Sequence, residues 1–333
     1  MLEEIRTSVR SYEGVTRKHP ISTLTTCFSG VDDFGKTMVS FGDDSAVLQA
    51  DDHFILFAAD GIWSRLMEHD PVWAGYCAVL ANVNDIYAMG GRPLALTNVM
   101  STKDSESCPK IVEGIARGCR KFKVPMVGGH LHPDTQIETL SISIVGEATR
   151  VLTSFDAVPG QDLILAIDIT GTQHETFLNW DSTSMKDPDT VVRRLGRMVE
   201  IAERGLATAA KDVSNPGILG TIGMLLETSE VGASVSLESI PRPEGVAFVD
   251  WIRMYPGFGF IMTCAPENSA EICRIFAEES VACAVIGSIT DSRKLVMTHE
   301  GASLTLFDFA SDIITGITKS ALPTAERCQR EDR

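Results

Sequence analysis

No two cysteines stand in CxxC spacing, although the chain has eight, at positions 27, 77, 108, 119, 264, 273, 283 and 328. That scatter over 333 residues excludes the ligand spacing of a structural zinc site and argues against a disulfide scaffold. The thiols read as reduced and mostly buried. No apolar run reaches the ~18 residues a membrane helix needs. The opening "MLEEIRTSVRSYEG" starts acidic and lacks the basic start and apolar centre of a signal peptide. It reads as a short amphipathic helix, and a cytoplasmic protein without membrane contact is expected. Basic residues are scarce, 29 Lys and Arg against 45 Asp and Glu, for a net charge of −16. Nucleic acid is thereby excluded as a partner, because neutralising phosphates requires clustered Lys and Arg. A small anionic ligand is allowed only where metal or local basic groups offset the repulsion. GxGxxG and GxxxxGK[ST] are both missing, which removes the two commonest phosphate loops.

What is present is a chain with 44% hydrophobic and 22% charged residues, long enough for two domains at ~100–200 residues each. Alternation and β-branched content predict strands at 45–49, 53–59, 94–100 and 139–146. Asp70-Pro71 reads as an N-cap with proline at the first helical position, opening a helix that stops at "MGGRP". A second helix over 106–122 leads into "VPMVGG", which reads as a short buried strand. The order from Ser45 is ββαβαβ. After the Pro159-Gly160 turn the pattern restarts with a strand at 162–169 and helices near 190–204 and 216–230. Strand "GASVSLESI", a helix over 244–254, strand "FGFIMTCAP" and a helix over 267–279 follow. The strands "ACAVIGSI", "KLVMTH" and "SLTLFDF" close the chain. Both halves mix strands and helices, so a two-domain α+β enzyme is expected, with the boundary near residues 150–160.

Four segments place acidic or amide side chains beside glycine at the ends of regular elements. Gly42-Asp43-Asp44 precedes one strand and Asp60-Gly61 ends the next. A solvated turn explains an isolated GDD equally well. In "ANVNDIYAMGGRP", Asn82 and Asp85 share a helix face and interrupt an apolar stripe, where a carboxylate is costly unless paired or metal-bound. A polar edge beside the helix end is the plainer alternative. In "VPMVGGHLHPDT", Gly128 and Gly129 let backbone approach a ligand, and His130, His132 and Asp134 follow. Each histidine reads as well as a loop residue, and a transition-metal site would want a third ligand. In "KDVSNPG", Asp212 and Asn215 precede Pro216-Gly217, whose exposed N–H groups favour anions; Ser214 or Asn215 also serves as an ordinary N-cap there. Hard oxygen ligands of this kind suit Mg²⁺ held against a polyphosphate.

In order and spacing, GDDSAV, the Asp60-Gly61 strand end, NVNDIYAMGGRP, VGGH and KDVSNPG resemble the aminoimidazole ribonucleotide synthetase (PurM-like) ATP-binding superfamily. That superfamily includes thiamine-monophosphate kinase, selenophosphate synthetase and the hydrogenase-maturation dehydratase HypE. The likeness covers nearly the whole chain, and "YEGVTRKHPI" with "KDVSNPG" is most similar to the methanogenesis marker 2 proteins of methanogenic archaea. The resemblance implies a PurM-like N-terminal domain over 1–155, with a mixed sheet whose strands dimerise. A C-terminal α/β sandwich over 156–320 and a polar tail over 321–333 complete the expected architecture. It also implies a homodimer with ATP in a cleft near the interface, and Mg²⁺ held by Asp43, Asp44, Asp60 and Asp85. Asn82 would orient those carboxylates, Gly128 and Gly129 would line the cleft, and Asp212 and Asn215 would reach it from the second domain.

Departures from the family pattern are informative. His130 stands where thiamine-monophosphate kinase has an aspartate, and Asn215 replaces the aspartate of DVSDG, removing a metal ligand. Lys18, with Arg17, stands in the N-terminal segment without the thiol of selenophosphate synthetase; Cys27 lies nine residues on and reads as structural. Cys328 stands near the terminus, where HypE has its catalytic cysteine, and reads as inert. The implied reaction passes the γ-phosphoryl of ATP to an oxygen of a small molecule or carrier group in cofactor biosynthesis or enzyme maturation. Lys18 would steady the transferred phosphate, Asp85 would hold the metal, and His130 would act as acid or base or only as a hydrogen-bonding neighbour. The rival reading is a nucleotide-dependent assembly factor without phosphoryl transfer, which the loss at Asn215 favours.

Overall fold

The computed structural model describes residues 1–103, 107–133, 135–255 and 257–321. Asp134, Cys328 and nearly all of the polar tail lie outside the described residues. The chain begins with three helices, α1 (Leu2–Arg10), α2 (Glu13–Thr16) and α3 (Ile21–Thr26). Strands β1 (Thr37–Val39), β2 (Ala46–Gln49) and β3 (Phe54–Gly61) then run to α4 (Ser64–His69) and α5 (Pro71–Ala88). β4 (Arg92–Ser101), α6 (Ser107–Phe122), β5 (Met126–His132) and β6 (Thr139–Ala148) complete the first unit. Its six-stranded sheet has the order β1-β2-β3-β6-β4-β5. All neighbours are antiparallel except β4 and β5, which are parallel and joined by α6 as crossover.

α5 forms where Pro71 takes the first helical position and the Asp70 carboxylate accepts from the Trp73 N–H at 2.9 Å. Thirteen of its 18 residues are buried, because it lies between the first sheet, α6 and the second unit. The "VPMVGG" strand departs from expectation: β5 is exposed from Val127 to His132. It is the edge of the sheet, with β4 on one side and no strand on the other among the described residues.

The second unit holds β7 (Asp162–Ile167), a small hairpin β8 (Thr172–Gln173) and β9 (Trp180–Asp181), and α7 (Pro188–Glu203). Next come β10 (Ala209–Asp212), α8 (Gly217–Ser229), β11 (Gly232–Ser236), α9 (Phe248–Trp251) and β12 (Gly259–Cys264). α10 (Pro266–Ala277), β13 (Ala282–Thr290), β14 (Lys294–His299) and β15 (Ala302–Asp308) end it. The sheet order is β10-β12-β7-β13-β11-β14-β15, antiparallel except for β11 with β14. α9 is four residues long rather than spanning 244–254: Gly245 takes φ +76°, outside the helical region, and the helix starts only after Ala247. β10 escaped the sequence reading: "AAKD" is too short to alternate and carries two charges.

One hydrophobic core joins the first sheet and α5 and α6 to α7, α10 and one face of the second sheet. The other face of that sheet packs on α8 and on the N-terminal arm, where Ile5, Val9 and Val15 are buried. The first helices thus dock on the second unit, and the Tyr12–Lys18 segment is held beside β10 and α8.

Candidate functional site

The two units meet around a cavity of about 540 Å³, within the usual size of a small-molecule site. Its lining comes from five places: the arm (Tyr12, Gly14, Arg17, Lys18), the end of β3 (Asp60 to Trp63), one face of α5 (Cys77, Ala81, Asp85), the β8–β9 loop (Thr176 to Asn179), and the end of β10 with its loop (Asp212, Ser214, Asn215). Tyr255 closes it. Cys77, Ala81 and Asp85 are spaced by four, so one helix face runs about 12 Å along the cavity wall. Asp85 marks the acidic end. Trp63 and Phe177 form an aromatic wall, with their rings edge to face at 5.6 Å.

At the acidic end Asp44, Asp85 and Asp212 each offer a carboxylate oxygen within 4.8 Å of the others. Among the described residues, Asp85 and Asp212 have no side-chain hydrogen bond or ion pair, and Asp212 is only 4% exposed. Burial is the largest cause lifting both carboxyls well above the ordinary range; repulsion from each other and from Asp44 and Asp60 adds to it, and Lys211 opposes it. Ionised carboxylates crowded together without partners are costly, and a bound proton or a cation relieves that cost. Three convergent oxygen donors are what Mg²⁺ accepts, so the residues present fit that ion.

Asp43 and Asp44 divide their roles. Gly42 adopts φ +105°, and a Cβ there would lie 2.6 Å from Ile317 Cγ2, so only glycine turns the loop inward. Asp43 then accepts from the Ser154 N–H at 2.8 Å and from the Asp44 N–H at 3.0 Å. It lies outside the cluster, buried behind it, and burial first and Asp44 next push its carboxyl up to about 6 against the pull of Lys211. Asp44 faces the cluster, accepting from the Asp212 N–H at 3.1 Å and from Lys211 Nζ. Burial alone would favour the neutral amine of Lys211, but Asp44 and Asp43 outweigh it and raise its pKa.

The remaining residues singled out from sequence are placed as follows. Asp60 is solvent-exposed, yet it lies on the crowded cavity floor; burial raises its carboxyl, opposed by Lys18, the Gly61 N–H and Arg17. Lys18 lines the cavity. Asn82 does not reach it: the side chain is buried and donates to the Ala78 carbonyl at 2.8 Å, one helical turn back. Gly128, Gly129 and His130 sit on the exposed strand β5, away from this chain's cavity, and the His130 and His132 rings pack at 4.4 Å. Asn215 lines the cavity, donating to the Tyr255 hydroxyl at 2.6 Å, and its backbone and amide crowd Gly14. Lys211 and the aromatic wall were missed. The signal for Lys211 was a lysine directly before Asp212 in an otherwise apolar run.

The comparisons with known proteins agree with this architecture. The model for the N-terminal domain of AIR synthase-related proteins matches residues 42–148, and that for the C-terminal domain matches residues 159–300. The chain is an AIR synthase-related protein. This AIR synthase-related protein is 41% identical over 321 residues to an uncharacterized protein of Methanocaldococcus jannaschii, covering 95% of this chain and 99% of the other. It is 34% identical over 281 residues to an uncharacterized protein of Synechocystis, covering 84% and 87%. Selenide, water dikinase of Carboxydothermus hydrogenoformans is 26% identical over 223 residues, covering 65% and 64%.

Among solved structures, T. maritima PurL complexed with ATP superposes with a TM-score of 0.70 at 19% identity, covering 81% of this chain. The AIR synthase-related protein spans about half of that PurL chain, 47%. AaThiL complexed with AMPPCP and TMP gives 0.65 at 16% identity, covering 87% and 98%. These likenesses establish the PurM-like two-domain α+β fold, each domain with a mixed sheet. No helix among the described residues is long and apolar enough to cross a membrane.

Proposed function

We propose that this protein is an Mg²⁺-dependent, ATP-using enzyme that passes the γ-phosphoryl to an oxygen of a small molecule or carrier group. The observation that carries the reading is the convergence of Asp44 with Asp85 and the buried Asp212, the last two lining a cavity that also holds Arg17 and Lys18. Mg²⁺ would be held by those three carboxylates and would neutralise phosphate charge. Arg17 and Lys18, on the arm, would steady the transferred group. Asp60 lines the same cavity, attracted by these cations and repelled by the acidic cluster. The shared wall of α5 would hold donor and acceptor in one line, which is where most of the acceleration in such reactions arises. Relatives named for ATP-using reactions, such as selenide, water dikinase, support the reading. Cofactor biosynthesis or enzyme maturation is the setting we propose. A link to methanogenesis is part of the proposal, on the resemblance of "YEGVTRKHPI" and "KDVSNPG" described above.

A homodimer belongs to the proposal. Phe57 on β3 and Val99 on β4 are exposed on one face of the first sheet, with His130 of β5 level with Val99, and a second copy would cover this face. His130 lies on this face and would enter the chemistry only across such an interface.

The test is incubation with ATP and MgCl₂ while ADP is measured, with wild type and Asp85→Asn in parallel. Turnover in wild type that drops by about a hundredfold or more in Asp85→Asn is expected. Equal turnover in the two proteins would refute the assignment. One observation favours the assembly-factor reading instead: the Asn215 amide is committed to Tyr255 and adds no carboxylate to the cluster. Tight MgATP binding with no ADP across a broad acceptor panel would select it.

A further inference from the structure

Lys211 is the one cation that the acidic cluster contacts directly among the described residues. It stands on β10, immediately before Asp212, with its side chain 7% exposed. Its Nζ donates to Asp44 Oδ1 and lies 3.9 Å from Asp43 Oδ1. The other Asp44 oxygen accepts from the Asp212 N–H at 3.1 Å. Both Asp44 oxygens are thus engaged by the second unit, which fixes the carboxylate plane and leaves one lone-pair direction on each oxygen for a metal. Among the described residues, Asp85 and Asp212 have no such engagement, and the buried Asp212 carboxylate lines the cavity without a protein partner.

Position decides how many ions such an arrangement takes. The oxygens of Asp44, Asp85 and Asp212 converge on one point. Lys211 Nζ lies against Asp44 Oδ1 and 3.9 Å from Asp43 Oδ1, where a second ion bridging those two carboxylates would have to sit. Its positive charge already answers part of what that ion would supply.

We propose that Lys211 is a positioning residue that stands in for a second divalent cation: it orients Asp44 and confines the nucleotide-free site to one metal ion, held by Asp44, Asp85 and Asp212. The proposal rests on the metal-site reading above and goes beyond it in assigning the ion number and the residue that sets it. Any further ions in a nucleotide complex would then enter with the phosphates.

Mn²⁺ alone serves as the probe, counted by equilibrium dialysis and by the loss of its free-ion EPR signal on nucleotide-free protein. Wild type is expected to bind one Mn²⁺ per chain, and Lys211→Arg, which keeps the charge, also one. Lys211→Met is expected to bind two, with circular dichroism confirming that it is folded. Two ions on the wild type, or one ion at unchanged affinity on folded Lys211→Met, would overturn the role of the lysine. Should Lys211→Met not fold, the wild-type and Lys211→Arg counts decide. No Mn²⁺ on the wild type would overturn the metal site itself, and with it the proposed function, so the two failures are distinguishable.

Discussion

Asp85 shows how a single side chain can work against the fold that carries it. The positions around it on α5, Asn82 to Asn84 and Ile86 to Ala88, are buried, and its carboxyl is repelled by Asp212, Asp44 and Asp60. Replacing it with the isosteric, neutral asparagine removes that repulsion. Asp85→Asn is therefore expected to melt at the same temperature as wild type or higher without metal, and to lose the further rise in Tm that MgCl₂ gives the wild type. Differential scanning calorimetry with and without MgCl₂ checks both. Gly14 is a second residue under tight constraint. A Cβ there would lie 2.2 Å from the Asn215 carbonyl oxygen, a backbone atom that cannot swing aside. Gly14→Ala is expected to push α2 off the Ser214–Asn215 loop, displacing Arg17 and Lys18 and weakening MgATP binding by roughly tenfold, about 1.4 kcal/mol. Isothermal titration calorimetry reads this directly, and unchanged affinity would remove the arm from the site. The acidic residues themselves were legible in sequence because carboxylates beside glycine at element ends have few structural uses. The split between Asp43 and Asp44 was not, since a one-residue difference in direction depends on which backbone N–H each meets.

Elements are held in place by polar anchors as much as by apolar faces. Glu227, on α8 and 4% exposed, accepts from the backbone N–H groups of Ile314, Thr315 and Gly316 and from the Thr315 hydroxyl, at 2.7–3.2 Å. It thus fastens the segment after β15 to the second unit. Glu227→Ala strands these donors, and at ~1–3 kcal/mol per buried unsatisfied group a loss of about 3 kcal/mol or more is expected in urea unfolding. α1 is fastened differently. Arg10 makes two 2.7 Å hydrogen bonds to Asp312 and a third, at 2.8 Å, to the Leu306 carbonyl. The guanidinium holds the Asp312 carboxyl below its ordinary value of 3.8. A depressed carboxyl stabilises the fold above its unfolded pKa, and that contribution disappears as pH falls through the folded one. Amide protection across α1, corrected for the pH dependence of intrinsic exchange, should therefore fall below about pH 3.8 in wild type. Asp312→Asn should show the lower protection already at neutral pH. Long periodic helices such as α5 and α6 were readable from spacing, and the strands from alternation. The exposure of β5 was not: an apolar strand looks alike at a sheet's centre and at its edge, and only pairing distinguishes them.

The whole molecule places the site between units that neither contains alone. Asp60 and Asp85 come from the first sheet and its helix, Asp212 and Lys211 from the edge strand of the second sheet, and Arg17 and Lys18 from an arm docked on the second unit. At this scale the expected test is of the dimer: Phe57→Glu with Val99→Glu places two charges on the exposed apolar face. Sedimentation velocity should show wild type as a dimer and the double variant as a monomer. A monomeric wild type would remove the interface from the proposal. The amino-acid sequence by itself determined the two-domain α+β character and the acidic chemistry, because periodicity and side-chain type are local properties. Only the tertiary structure decided which carboxylates converge, that Lys211 joins them, and that Asn82 and Gly128 to His130 stay away from this chain's cavity. Those outcomes depend on strand order and helix rotation, which bring residues 167 positions apart, such as Asp44 and Lys211, into contact.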